Sequence, residues 1–208
     1  KYDKKVSIIY EKNIIKNKFA ESFYQKIKKN NEFEWLIYVD VDEFISTRKN
    51  VLNTIRDELE TTFKEAGCVI VPWIMMSCNK REKNPESVLI ENNTRWNHDL
   101  KHPHPFKKTK FRCRFSGIET KSIFRIKNFN RIWDHTPRDK VGKCKIQNGL
   151  NGKEVGLTSS LKVTEKQIKE FDDFLCVAVC KTKSYSINKI LELKPDIVFL
   201  SITSSQPN

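Results

Sequence analysis

None of the six cysteines (Cys68, Cys78, Cys113, Cys144, Cys176 and Cys180) stands in a Cys-x-x-Cys pair, which argues against a structural zinc site. No apolar run approaches the roughly 18 residues of a membrane-spanning helix, so an integral helical membrane protein is not expected. Nothing repeats internally, and no low-complexity linker divides the region around residues 51–73. The first residues carry no signal-peptide pattern and the cysteine spacing demands no disulfide framework, so the expectation is a reducing, cytoplasmic setting. Cys68 and Cys176 fall in apolar runs and read as buried thiols.

What is present fits a folded domain. A chain of 208 residues can bury around 70% of its unfolded surface in one core. Hydrophobic content of 38% and aromatic content of 11% speak against disorder. The formal charge is +13, and it is regional. Fourteen Lys and Arg between Lys101 and Lys145 face only Glu119, Asp134 and Asp139, leaving little net charge elsewhere. Such a region suits a diphosphate, an anionic membrane surface with peripheral attachment, or nucleic acid; a solvated face is the plain reading.

The chemistry gathers at one stretch. Trp35 to Val39 is an unbroken apolar run that delivers Asp40 and Asp42 two residues apart, so a buried strand ends with both carboxylates on one side. Two carboxylates about 4 Å apart repel by about 4 kcal/mol at an effective dielectric near 20, and a hard divalent cation relieves that cost. The next residues, Glu43 and Phe44, complete an Asp-Val-Asp-Glu-Phe sequence.

Around this stretch helix and strand signals alternate. Val6–Tyr10 reads as a strand, and Phe19, Phe23 and Ile27 at spacing four predict a helix from Lys16 to Lys29 stopped by Asn30-Asn31. Leu52, Ile55, Leu59 and Phe63 predict a second helix from Val51 to Ala66, with Gly67 as its stop. Cys68–Trp73 is a buried strand, a short strand follows over Val88–Trp96, and Lys121–Ile126 and Asn130–His135 are two strands joined by a tight turn. Later, Asn148–Ser160 reads as loop, Glu165–Phe174 as helix, and Leu175–Cys180 as strand. The fold class is therefore α/β, a Rossmann-like mixed or mostly parallel sheet flanked by helices. The core is expected over residues 1–145, with a C-terminal extension over 146–208. His98, Asp99, His102 and His104 invite a zinc reading, but the intervening prolines prevent helical presentation, and a polar loop is the simpler account.

The Trp, apolar run and Asp-x-Asp-Glu-Phe pattern of residues 35–44 resembles the metal motif of glycosyltransferases of the GT-A fold, especially the family 2-like and family 92-like groups. That resemblance covers about residues 6–136, with a fainter likeness at Thr182-Lys183-Ser184. It implies transfer of a sugar from a nucleotide-sugar donor, UDP- or GDP-linked, to a carbohydrate or glycoprotein acceptor, with Mn2+ or Mg2+ as cofactor. It implies Asp40 and Asp42 as catalytic metal ligands, with Asp40 also on the donor. His135 becomes the third ligand, and Lys121, in the Lys-Ser-Ile-apolar-Arg pattern, meets the donor phosphates. Trp73, Ser77 and Asn79, before Pro85, face the acceptor. Glu43 braces the aspartate turn. A base for an inverting reaction is left open among Glu82, Glu86, Glu91, Asp99 and Glu119. Family members normally open with further βα units that hold the nucleotide base, so this chain reads as N-terminally incomplete.

Two other readings use the same residues. A phosphohydrolase of the haloacid-dehalogenase type would use Asp40 as nucleophile, Ser77 after the next strand and Asp172-Asp173 as late metal ligands, although Phe44 stands where that family wants Thr or Val. A nucleic-acid binder would use Lys101–Lys145, where Phe106, Phe111, Phe115, Phe124 and Phe129 interleave with basic residues. The ending Asp-Glu-Phe favours the transferase.

Overall fold

The computed structural model describes residues 16–31, 33–40, 43–47, 53–76, 95–96, 111–114, 117–133, 135–162 and 176–180. The expected strand at Val6–Tyr10, the helix at Glu165–Phe174 and the His98–His104 segment lie outside the described residues.

Helix α1 spans Lys16–Asn30 and ends where Asn31 adopts a left-handed backbone (φ 51°) and donates its N–H to the Ile27 carbonyl at 3.1 Å. Lys28 and Lys29 sit in its last turn, where cations suit the helix dipole. The expected Phe19, Phe23 and Ile27 are only half-buried, and the anchor of the helix is Tyr24, 1% exposed. A tyrosine can occupy that place because its hydroxyl reaches the carbonyls of Phe129 and Ile126 at 2.9 and 3.1 Å.

Strand β1 (Trp35–Ile37) and strand β2 (Glu43–Ser46) bracket the acidic stretch. Helix α2 covers only Ile55–Glu60, shorter than the periodicity predicts. Its start is set by a capping box: Asp57 N–H donates to Thr54 Oγ1 at 3.1 Å, while the Asp57 carboxylate accepts the Thr54 N–H at 2.7 Å. At its end Thr61 leaves helical geometry (φ −111°, ψ −80°) and the Phe63 N–H reaches five residues back to the Glu58 carbonyl at 2.9 Å, so the chain turns rather than continuing. Leu59 and Phe63 are nevertheless buried as the spacing required.

Strand β3 (Ala66–Met76) is the hub. It is followed by β4 (Arg95–Trp96), β5 (Cys113–Arg114), β6 (Gly117–Arg125), a 3-10 turn at Ile126–Asn128, β7 (Phe129–Trp133), β8 (Thr136–Lys140), β9 (Lys145–Asn148), β10 (Ser160–Leu161) and β11 (Cys176–Cys180). The main sheet has the spine β1-β6-β3-β11-β2, so the short connection carrying Asp40 takes the chain from one end of that order to the other. The β3–β11 and β3–β9 pairs are parallel, whereas β1–β6, β3–β6, β3–β4, β5–β6, β10–β6 and β11–β2 are antiparallel. The sheet is mixed, then, but not mostly parallel, because the described helices are too few to act as crossovers for every pair. The segment after residue 145, expected as an extension, supplies β9, β10 and β11 to this same sheet.

Alternation along β3 builds two cores. Cys68, Ile70 and Ile74 pack with Tyr24, Phe124, Phe129 and Ile132 on the α1 side. Val69 and Val71 pack with Ile37, Val39, Leu59 and Phe63 on the α2 side. Each such fully buried Val, Leu, Ile or Phe contributes about 1.5–3 kcal/mol relative to exposure. The pair β7–β8 forms a separate two-stranded hairpin, sutured to α1 by Glu21, Tyr24, Gln25 and Lys28, which all bond backbone groups of β7. Residues 117–133 are therefore two strands in different sheets, not a hairpin.

Candidate active site

The backbone at the end of β1 is fixed first. A turn closes between the Glu43 N–H and the Asp40 carbonyl at 3.0 Å, and Glu43 Oε2 accepts the Asp40 N–H at 2.9 Å. Glu43 thus braces the aspartate turn, as the sequence reading expected. Its side chain is 1% exposed and its other oxygen lies 2.8 Å from Lys121 Nζ, which is equally buried. Burial pushes the Glu43 carboxyl above the usual carboxylate range, and the Lys121 ammonium and the Asp40 N–H partly offset this.

Lys121 comes from the middle of β6, opposite Val71 of β3. Besides Glu43 it approaches Asp40 Oδ2 at 3.8 Å and stands 4.8 Å from the centre of the Trp73 ring. The resemblance implies a phosphate contact for Lys121; its ammonium instead faces two carboxylates and an indole, and is closed off from solvent.

His135 arrives from the turn between β7 and β8, in a left-handed conformation (φ 65°). Its Nδ1 lies 3.1 Å from the Tyr38 carbonyl. A carbonyl only accepts, so Nδ1 carries a proton, and in the neutral ring Nε2 keeps its lone pair. That Nε2 is 3.9 Å from Asp40 Oδ2, and the imidazole packs on the Tyr38 ring at 5.2 Å. The Asp40 side chain is about one-third exposed (32%), so it alone of the two described carboxylates here opens to solvent.

The structure therefore brings together Asp40, Lys121 and His135 of the expected site, with Trp73 alongside. Asp42, Ser77, Asn79, Glu82, Glu86, Glu91 and Asp99 lie outside the described residues. Glu119, the one base candidate inside them, is paired with Arg112 at 2.5 Å. Arg112 also lays its guanidinium 4.4 Å from the Trp73 ring centre. Sequence reading did not single out Arg112 or the Tyr38 carbonyl. A backbone carbonyl leaves no signal in composition, and Arg112 is one of fourteen cations in its region.

A mixed sheet with a carboxylate, an imidazole and an ammonium converging where a strand ends has the layout of an α/β enzyme. The model of glycosyltransferase family 92 matches residues 26–181, so this chain belongs to that family and is a glycosyltransferase. No curated protein and no solved structure matches it. Membership favours glycosyl transfer over the phosphohydrolase reading, and the match runs through residue 145 into β11.

Proposed function

We propose that the protein transfers a sugar from a nucleotide-diphosphate donor to a hydroxyl of a carbohydrate or glycoprotein acceptor, in a GT-A-like site that holds Mn2+ or Mg2+ on Asp40, Asp42 and His135. The observation that carries this reading is the 3.9 Å separation of Asp40 Oδ2 and His135 Nε2. Two atoms bound at about 2.1 Å to one ion stand between about 3.0 Å apart in adjacent positions and about 4.2 Å in opposite ones. With its Nδ1–H directed at the Tyr38 carbonyl, the neutral His135 ring turns Nε2 outward as a metal ligand requires. Formal charges on Asp40, Asp42, Glu43 and Lys121 leave a surplus of two negatives, which suits a divalent ion.

When bound, such an ion supplies Lewis-acid stabilisation of the departing diphosphate. The chain's own residues do the positioning. Glu43 holds the Asp40 backbone, Lys121 neutralises Glu43 and draws Asp40 toward the sheet, and Tyr38 aims His135. Trp73, which the resemblance implies faces the acceptor, stands beside Lys121.

Calorimetry with UDP- and GDP-sugars, with and without Mn2+, tests the proposal. Metal-dependent binding should appear and fall at least tenfold in Asp40→Asn. Equal binding in the presence of a chelator would overturn it.

A further inference from the structure

The β7–β8 hairpin has two faces with different fates. Ile132 and Pro137 are buried, while Arg131, Trp133 and Arg138 are exposed. Arg131 and Arg138 are direct cross-strand partners, and Trp133 follows two residues after Arg131, so the three share one face. Trp133 is 50% exposed, an unusual place for an indole. With Asp139 these residues line an open, shallow depression of about 180 Å³ that merges with solvent.

Its electrostatics are unbalanced. Two guanidiniums placed opposite one another cost stability unless an anion joins them. Asp139 Oδ2 lies 3.5 Å from Arg131 Nη1, and among the described residues Arg138 has no ion-pair partner. Among Arg131, Arg138 and Asp139 one positive charge is left over. Asp139 also holds a left-handed backbone (φ 54°), which aspartate adopts more readily than most non-glycine residues. The hairpin tip carries His135, whose Cα is at most about 7 Å from that of Trp133 along the chain. An exposed aromatic plane beside a singly positive guanidinium pair matches a sugar ring that bears one anionic group.

We propose that this depression is an acceptor subsite for an acidic glycan: Trp133 stacks on a sugar ring, and Arg131 and Arg138 receive its carboxylate or sulfate. Its role as an acceptor site rests on the nucleotide-sugar transfer proposed above; the binding itself does not.

The test is calorimetry of the whole chain with a disaccharide ending in glucuronic acid and the matching one ending in glucose, without donor. The acidic sugar should bind at least tenfold tighter. Arg138→Ala should remove that difference, and Trp133→Ala should weaken both sugars about tenfold while Trp133→Phe stays close to wild type. Equal binding of the two sugars, or indifference to both alanine variants, overturns the proposal. So does Trp133-dependent binding of phosphatidylserine vesicles without binding of the disaccharide, which makes the hairpin a membrane-docking surface. Asp40→Asn separates the two readings. Donor binding should fall while disaccharide binding holds; if donor binding fails in every variant but the acidic sugar still binds, the donor reading falls and the glycan site stands.

Discussion

Lys121 Nζ lies 2.8 Å from Glu43 Oε1 with both side chains 1% exposed, one ion pair closing the floor beneath Asp40. Removing one member strands the other charge away from water, at about 3–5 kcal/mol. Lys121→Met should therefore lower the urea midpoint by that equivalent, and Glu43→Leu by a similar amount. The double variant should recover much of the loss, since an apolar pair of similar volume suffers no stranded charge. Losses that simply add would show that the pair does not act as a unit. If the recovered double variant still fails to bind donor with Mn2+, the pair is positioning Asp40 and not only filling space.

His135 combines a strained backbone with a directed side chain, and substitutions can separate the two. Asparagine tolerates a φ of 65° far better than alanine. His135→Asn should keep the melting temperature near wild type yet lower metal-dependent donor binding at least tenfold, while His135→Ala loses both. Equal donor binding by wild type and His135→Asn would remove His135 from the metal set.

Much of this site could be read from the sequence because its parts are local. The apolar run into Asp40 and the bracing Glu43 lie within nine residues of one another. Lys121 and His135 were legible only through a family pattern, since their convergence depends on β6 neighbouring β1 and on the β7–β8 turn reaching Tyr38. The fold was less legible where polar groups decide. Tyr24 took the core position expected of phenylalanines because two carbonyls satisfy its hydroxyl. Helix α2 stopped early where Thr61 turns out of helical geometry, a backbone step that the apolar spacing does not show. Strand direction could not be read at all: short runs such as β9 and β10 carry no periodicity long enough to reveal a partner.

Cys68 gives a prediction with a sign. Burial pushes its thiol up to about 12 from an ordinary value of 9.0, with Ser122 opposing. The folded state therefore keeps its proton between those values while the unfolded chain releases it. Stability from this group is complete below pH 9 and declines as pH rises toward 12. At pH 8 iodoacetamide should leave Cys68 unmodified in the native protein and label it after urea unfolding, with the half-buried Cys144 reacting first. Mass spectrometry of the peptides reads both; native labelling of Cys68 ahead of Cys144 would contradict its placement.

Gly67 reads as a helix stop in the sequence but stands inside β3, where the register with β9 shifts between Ala66 and Cys68. The reason is space. A Cβ at Gly67 would lie 2.5 Å from Cys144 Cβ and 2.8 Å from its Sγ, so any side chain must displace the approach to β9. Gly67→Ala should cost about 1–3 kcal/mol, as overpacking does. The clash is with a Cβ, so Cys144→Ser should give no relief in the Gly67→Ala background, while Cys144→Gly should restore part of the urea midpoint. A Gly67→Ala protein as stable as wild type would mean that β9 does not approach β3 this closely, and the parallel pairing that ties residues 145–148 into the sheet would fall with it.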